Sequence, residues 1–214
     1  MIRVSMISAL FVAFLGFAGP VHAEGAAMAG SGNVSADAAK AEQFIRTKHE
    51  KVRRVLRKPD TPKRAEELTE LLGEFLDYDR LARLSLDTEW SKRTPRERER
   101  FVSLLRQLVE RQYQGNMEST LQYKVAWVGT EQIEGGFKVK SAARSTKRKR
   151  QPAISIDYSM SPSENEWKVF DIFTDDVSLV KNYKRQFRRV IADEGWDGLI
   201  GRMEKKLKDK EELY

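Results

Sequence analysis

Midway along this chain the spacing of apolar residues switches from helical to alternating, and near the end it switches back. Upstream, Leu68, Leu71, Leu72, Phe75 and Leu76 fall at i, i+3, i+4, i+7 and i+8, the stripe of an amphipathic helix. From Leu121 the period is two: Leu121, Tyr123, Val125 and Trp127 alternate with Gln122 and Lys124, as one face of a half-buried strand requires. After Phe173 the three-and-four spacing returns. Helices, then strands, then helices is the order of an α+β domain, with helices on one face of an antiparallel sheet.

The punctuation fills in the elements. Asp37 is placed to cap a helix running to about Lys58, with Phe44, Ile45, Val52, Val55 and Leu56 as its stripe. Pro59 and Pro62 end it and the helix of Leu68 follows, then a shorter one over about Asp79 to Trp90. Thr94-Pro95-Arg96-Glu97 combines a capping Thr, a Pro at the first helical position and a Glu three residues after the cap. Its helix shows Phe101, Leu104, Leu105, Leu108, Val109, Gln112 and Tyr113 on one side and is expected to end near Gly115-Asn116. Four strands are expected: Leu121–Trp127, turned at Gly129-Thr130; Phe137–Val139; Ile154–Met160; and Trp167–Phe173. Their short connections imply an antiparallel meander. Two helices close the chain, one carrying Leu179, Val180, Tyr183, Phe187, Val190 and Ile191, the other Trp196, Leu199, Ile200, Met203 and Leu207.

The first residues have a separate logic. Arg3 precedes an almost wholly apolar run from Val4 to Ala18, and Gly19-Pro20-Val21-His22-Ala23 ends in small residues. This reads as a signal peptide cleaved after Ala23. A retained anchor is the alternative, but the run falls short of the roughly 20 apolar residues of a membrane span. Residues 24–36 read as a flexible Gly-rich leader, 37–207 as a single domain and 208–214 as a charged tail. The chain is therefore expected in the periplasm.

Composition then removes whole classes of chemistry. The chain has 214 residues, no cysteine and two histidines. Disulfides, thiolate nucleophiles and zinc–thiolate sites are excluded. Cleavage after Ala23 would leave His49 as the one histidine, set among Lys48, Glu50 and Lys51 and read as a solvated surface residue. No metal ligand set, phosphate loop or histidine-based triad stands out, and no cofactor is expected. Asp157 and Asp171 lie in adjacent expected strands and are the candidates for a carboxylate pair, with Tyr158 beside them.

Three phrases carry a resemblance. They are FLDYDRLARLSLDTEWSKRTPRERERFVSLLRQLVERQYQGNMES from Phe75 to Ser119, WKVFDIFTDDVSLVKNYKRQF from Trp167 to Phe187, and GWDGLIGRMEKKL from Gly195 to Leu207. In order and spacing the chain resembles the MlaC family of phospholipid-binding ABC-transporter auxiliary proteins. That family includes the toluene-tolerance proteins and a branch associated with hopanoid biosynthesis. The resemblance implies a monomeric, non-enzymatic carrier of phospholipid. It would pass its cargo between an outer-membrane lipoprotein complex and an inner-membrane ABC transporter bearing an MCE-domain ring. One position departs from the family: Asp176 stands where members usually have Gly before Val-Ser-Leu. If that turn needs a positive φ, Asp tolerates it less well than Gly; Asp176 and Ser178 are alternatively placed to cap the next helix.

A lipid carrier needs a sheet and helices that enclose an apolar cavity, because each methylene exposed to water costs about 0.8 kcal/mol. The candidates to face it are Tyr123, Val125, Trp127, Phe137 and Val139, with Ile154, Ile156, Tyr158, Trp167, Val169 and Phe173 from the later strands. The helices add Leu105, Val109, Tyr113, Leu179, Val180 and Tyr183. Core packing and cavity lining are both open for each of these residues. The run Arg144, Lys147, Arg148, Lys149 and Arg150 sits at an expected hairpin tip. It reads equally as a solvated turn that discourages edge pairing and as a surface for anionic headgroups or a protein partner. Export removes nucleic acid as a partner. Two other readings of the whole remain: a carrier of hopanoid or another polycyclic lipid, and a small ketosteroid-isomerase-like enzyme using Asp157, Asp171 and Tyr158.

Overall fold

The computed structural model describes residues 36–148, 150–164 and 166–209, without the side chains of 113–118. The expected signal peptide and leader, Lys149, most of the charged tail and the Tyr113 side chain lie outside the described residues.

Helix α1 spans Ala36–Leu56 and buries Ala38, Ala41, Ile45, Lys48, Val55 and Leu56 along one side. Helix α2 (Pro62–Phe75) starts where the Arg64 amide donates to the Thr61 hydroxyl at 3.3 Å, with Pro62 at its first position. Helix α3 (Tyr78–Leu86) is capped by Asp77, which accepts from the Arg80 amide at 2.9 Å. The single helix expected over Asp79 to Trp90 is in fact two. Asp87 takes φ 52° and ends α3, and a single turn, α4 (Thr88–Ser91), follows. Helix α5 (Pro95–Thr120) opens with the expected reciprocal cap: the Glu97 amide donates to Thr94 Oγ1 at 3.3 Å, and the Thr94 amide to Glu97 Oε2 at 2.7 Å. It does not stop at Gly115-Asn116 but runs on to Thr120. One glycine costs about 1 kcal/mol relative to Ala, too little to end a helix of 26 residues.

The sheet is an antiparallel meander of β1 (Tyr123–Ile133), β2 (Gly136–Ser145), β3 (Ile154–Ser163), β4 (Glu166–Thr174) and β5 (Val177–Ser178), in that order. It has five strands where four were expected; the fifth is only two residues long, too short to show a period. Gly129 does not turn the chain either. It follows a bulge that leaves Val128 unpaired and 67% exposed, and β1 continues to Ile133. The turn comes at Gly135, whose φ of 71° suits glycine. Gly136 next to it passes so close to β3 that a Cβ there would sit 1.8 Å from the Met160 carbonyl oxygen.

A second bulge, in β4, leaves Phe170 unpaired between Val169, opposite Met160, and Asp171, opposite Ser159. It resets which residues face the helices. Before it Val169 faces inward; after it Ile172 and Thr174 do, opposite Tyr158 and Ile156. Phe173 therefore points to the outer face, where the Lys138 ammonium lies 4.1 Å from its ring centre.

The last helical segment, α6 (Leu179–Lys208), is the expected pair of closing helices, meeting at a kink where Gly195 leaves helical geometry (φ 73°, ψ −176°). Helix α1 packs over β1 and β2; α2, α3 and α6 pack on β4; α5 lies against α2, α3 and α6. One core results, with Leu72, Phe101, Leu105, Val139, Met160, Val169, Phe187, Leu199 and Met203 almost wholly removed from water. The α2–α3 junction is fastened to the sheet by the main chain: the Asp77 amide donates to the Val169 carbonyl at 2.8 Å.

Candidate functional site

A cavity of about 140 Å³ lies between α1 and the inner face of the sheet. Helix α1 contributes Ile45, Lys48, His49, Val52 and Arg53; Ile45, His49 and Val52 stand at i, i+4 and i+7, one stripe of the helix. Leu72 and Phe75 of α2 and Ser119 and Thr120 at the end of α5 close two more sides. The sheet supplies Tyr123, Val125, Ala143, Ile156, Tyr158, Ile172 and Thr174. Ile45, Leu72, Phe75, Ala143 and Ile172 are fully buried, whereas His49, Val52, Arg53, Ser119, Thr120, Tyr123 and Val125 are half-exposed. The opening is therefore between the later turns of α1 and the corner where α5 passes into β1.

The polar groups in the lining are mostly engaged. Lys48, 6% exposed, extends its ammonium to Glu74 Oε2 of α2 at 2.5 Å and lies over the Phe44 ring. The hydrogen bond from Lys48 holds the Glu74 carboxyl below its ordinary range. Arg53 Nη1 donates to the carbonyls of Thr120 at 3.3 Å and Tyr123 at 3.1 Å, joining α1 to the α5–β1 corner. Burial raises the Tyr158 phenol well above its usual value, so it stays neutral. His49 is not the solvated surface residue expected. It is half-buried, lines the cavity and meets Trp127 edge to face at 5.8 Å. Burial, and then the nearby Arg53, lower its pKa. Its place at i+4 from Ile45 was the signal for this.

Of the candidate interior residues, Tyr123, Val125, Ile156 and Tyr158 line the cavity. Trp127 stands at its margin, 6.3 Å from Tyr158 between ring centres. Leu105, Val109, Val139, Val169, Leu179 and Tyr183 are buried in the core, and Val180 packs on it half-buried. Phe137 and Trp167 pack on each other at 5.6 Å. Ile154 begins β3 opposite Ala143, and Phe173 faces outward. Ile45, Val52, Leu72 and Phe75, which the spacing marks only as helix stripes, also line the cavity, as does the end of α5. Arg144, Lys147, Arg148 and Arg150 are exposed around the β2–β3 connection.

The two carboxylates considered as a catalytic pair have separate partners. Asp157 lies opposite Phe173 and Asp171 opposite Ser159, so the two are out of register. Asp157 accepts from the Ser141 amide at 3.3 Å. Asp171 accepts from the Ser178 hydroxyl at 2.6 Å and the Val180 amide at 3.0 Å, and Ser178 accepts from the Lys181 amide. Asp171 and Ser178 thus satisfy the first amides of α6, and Ser178 is its cap. Burial raises the pKa of both aspartates, against the pull of these hydrogen bonds. Asp176 does sit at positive φ, 64°, a conformation that glycine adopts at less cost than Asp.

Fold and cavity together define a class: an α+β domain whose helices roof one face of an antiparallel meander around a small apolar hollow. The profile of the family described as MlaC protein matches residues 46–205, and the chain belongs to that family. Among solved structures it is similar to the phospholipid-binding protein from Ralstonia solanacearum, determined in complex with a phospholipid. The TM-score is 0.67 at 22% identity, over 78% of this chain and 96% of that one. No curated protein matches significantly. Among the described residues no helix is long and apolar enough to cross a membrane.

Proposed function

We propose that this protein is a periplasmic carrier that takes phospholipid between an outer-membrane complex and an inner-membrane MCE/ABC transporter, hiding the acyl chains in the cavity under α1. The observation that carries the reading is the cavity itself, walled by Ile45, Val52, Leu72, Phe75, Val125, Ile156 and Ile172 in a chain of the MlaC family. The phospholipid held by the similar Ralstonia solanacearum protein supports the choice of cargo, and family membership supports the compartment and the partners. An apolar cavity of roughly 150 Å³ is known to stay dry and to take a benzene-sized guest, so the hollow matches a short length of hydrocarbon and must widen for two long chains. Binding without catalysis fits the structural roles of Asp157 and Asp171, both tied to backbone amides.

The test is to purify the full chain from a bacterial periplasm under native conditions, extract it with organic solvent and identify the lipid by mass spectrometry. Stoichiometric phospholipid is the expected result. A polycyclic lipid would change the cargo and keep the carrier; a folded protein that never yields lipid would end this reading.

A further inference from the structure

The opening of the cavity coincides with the most basic end of the sheet. Tyr123, in the cavity wall, is the cross-strand partner of Ser145, and Lys124 that of Arg144. The Thr146 amide donates to the Gln122 carbonyl at 2.8 Å, and the Arg148 amide to Ser145 Oγ at 3.0 Å. The β2–β3 connection is thereby folded against the start of β1, which places Lys147, Arg148 and Arg150 beside the mouth. Arg57 directly follows the last residue of the chain's first helix, whose last turn carries Arg53. Arg57, Lys124, Arg144, Lys147, Arg148 and Arg150 are all exposed, and none forms an ion pair with a described residue. Some cations elsewhere have ion-pair partners: Arg46 with Glu42, Lys58 with Glu67, Lys140 with Glu131, Lys184 with Asp87. Among the described residues Asp175 and Asp176 bring carboxylates to this end of the sheet, and that of Asp175 is held by the Ser155 amide at 3.0 Å. The cations outweigh them.

We infer that this basic rim docks the protein on an anionic phospholipid bilayer with the cavity mouth turned toward the membrane. The geometry serves a single purpose. A chain leaving past the corner where Arg53 meets Thr120 and Tyr123 would pass from an apolar cavity to an apolar bilayer with little water between, and the rim cations would lie among the phosphates of the surface. The inference rests on the carrier reading for its purpose, and its measurement is independent of it. Attraction of this kind grows with each Lys or Arg near a negative surface and is screened by salt.

The experiment is co-sedimentation of the full chain with vesicles of phosphatidylcholine alone and of phosphatidylcholine mixed with phosphatidylglycerol. The wild-type protein is expected to bind the mixed vesicles only, and less as salt is added. The rim variant Arg144→Glu/Lys147→Glu/Arg148→Glu is expected to bind at least about tenfold more weakly. The control Lys181→Glu/Arg185→Glu/Arg188→Glu makes the same change in net charge on the exposed side of α6 and is expected to bind as wild type; thermal melts show that both are folded. Binding indifferent to vesicle charge, rim and α6 variants that behave alike, or a rim variant that binds normally and loses a protein partner instead would each overturn the inference. Lipid content of the same preparations reports separately on carriage: protein that docks by its rim yet carries no lipid sinks the carrier and leaves the docking surface.

Discussion

The His49 imidazole stands edge-on to the Trp127 indole, ring centres 5.8 Å apart and planes at 88°, at the margin of a cavity with mostly apolar walls. Glu50 lies 3.7 Å from its Nδ1 and favours the charged ring; burial, the larger effect, and Arg53 oppose it.

Stability should therefore fall on mild acidification. The folded-state pKa of His49 lies below the ordinary 6.5, so in the window beneath that value the unfolded chain binds more protons than the native one. The contribution is fully present above 6.5 and is lost as pH drops toward the folded value. The Tm of wild type should decrease through this window, and that of His49→Phe should decrease less. Identical slopes for the two proteins would remove His49 as the cause.

Cavity and core positions should separate cleanly by substitution. Val125→Asp and Ile156→Asp place a carboxylate on the wall of the hollow, at half-exposed positions where it can still reach water. Both should purify folded and without lipid. Leu105→Ala, at a fully buried site away from the hollow, should cost about 2–5 kcal/mol and leave lipid per folded molecule unchanged. Denaturant melts paired with lipid extraction provide the readout.

Lys48 offers a quieter prediction. Its partner Glu74 is half-exposed, so an uncompensated carboxylate there is readily hydrated. Lys48→Met keeps the apolar stem and should change stability by less than about 1 kcal/mol. A loss of several kcal/mol would show that the ion pair is the main tie between α1 and α2.

Two backbone positions should be intolerant in different ways. Gly136→Ala forces a methyl against the Met160 carbonyl and should cost about 1–3 kcal/mol. At Asp176, φ 64°, Asp176→Val should cost about 1–2 kcal/mol, while Asp176→Gly should be tolerated. Chemical denaturation of the three variants checks both.

The periodicities carried the architecture: the meander and its flanking helices follow from where the spacing of apolar residues changes. What escaped them was the resetting of a period inside an element. Phe173 reads as inward by alternation from Trp167 and Val169, but Phe170 bulges out of the ladder and hands the inner face to Ile172 and Thr174. Gly129 likewise reads as a turn because a bulge and a turn both recruit glycine. Asp87 breaks a continuous helical pattern by a φ that side-chain identity only hints at. The hollow itself is written less in residue types than in spacing between layers, since Leu72 beside it and Leu105 away from it are equally good core residues.

The main-chain bond from Asp77 to Val169 has a mechanical consequence. It ties the α2–α3 junction to β4 by the kind of main-chain bond that joins one strand to another. Across the hollow, the connections described for α1 are made through side chains: the Lys48 ammonium, the Arg53 guanidinium and its apolar stripe. A guest larger than the hollow would therefore meet fewer main-chain ties on the α1 side than on the side of the α2–α3 junction.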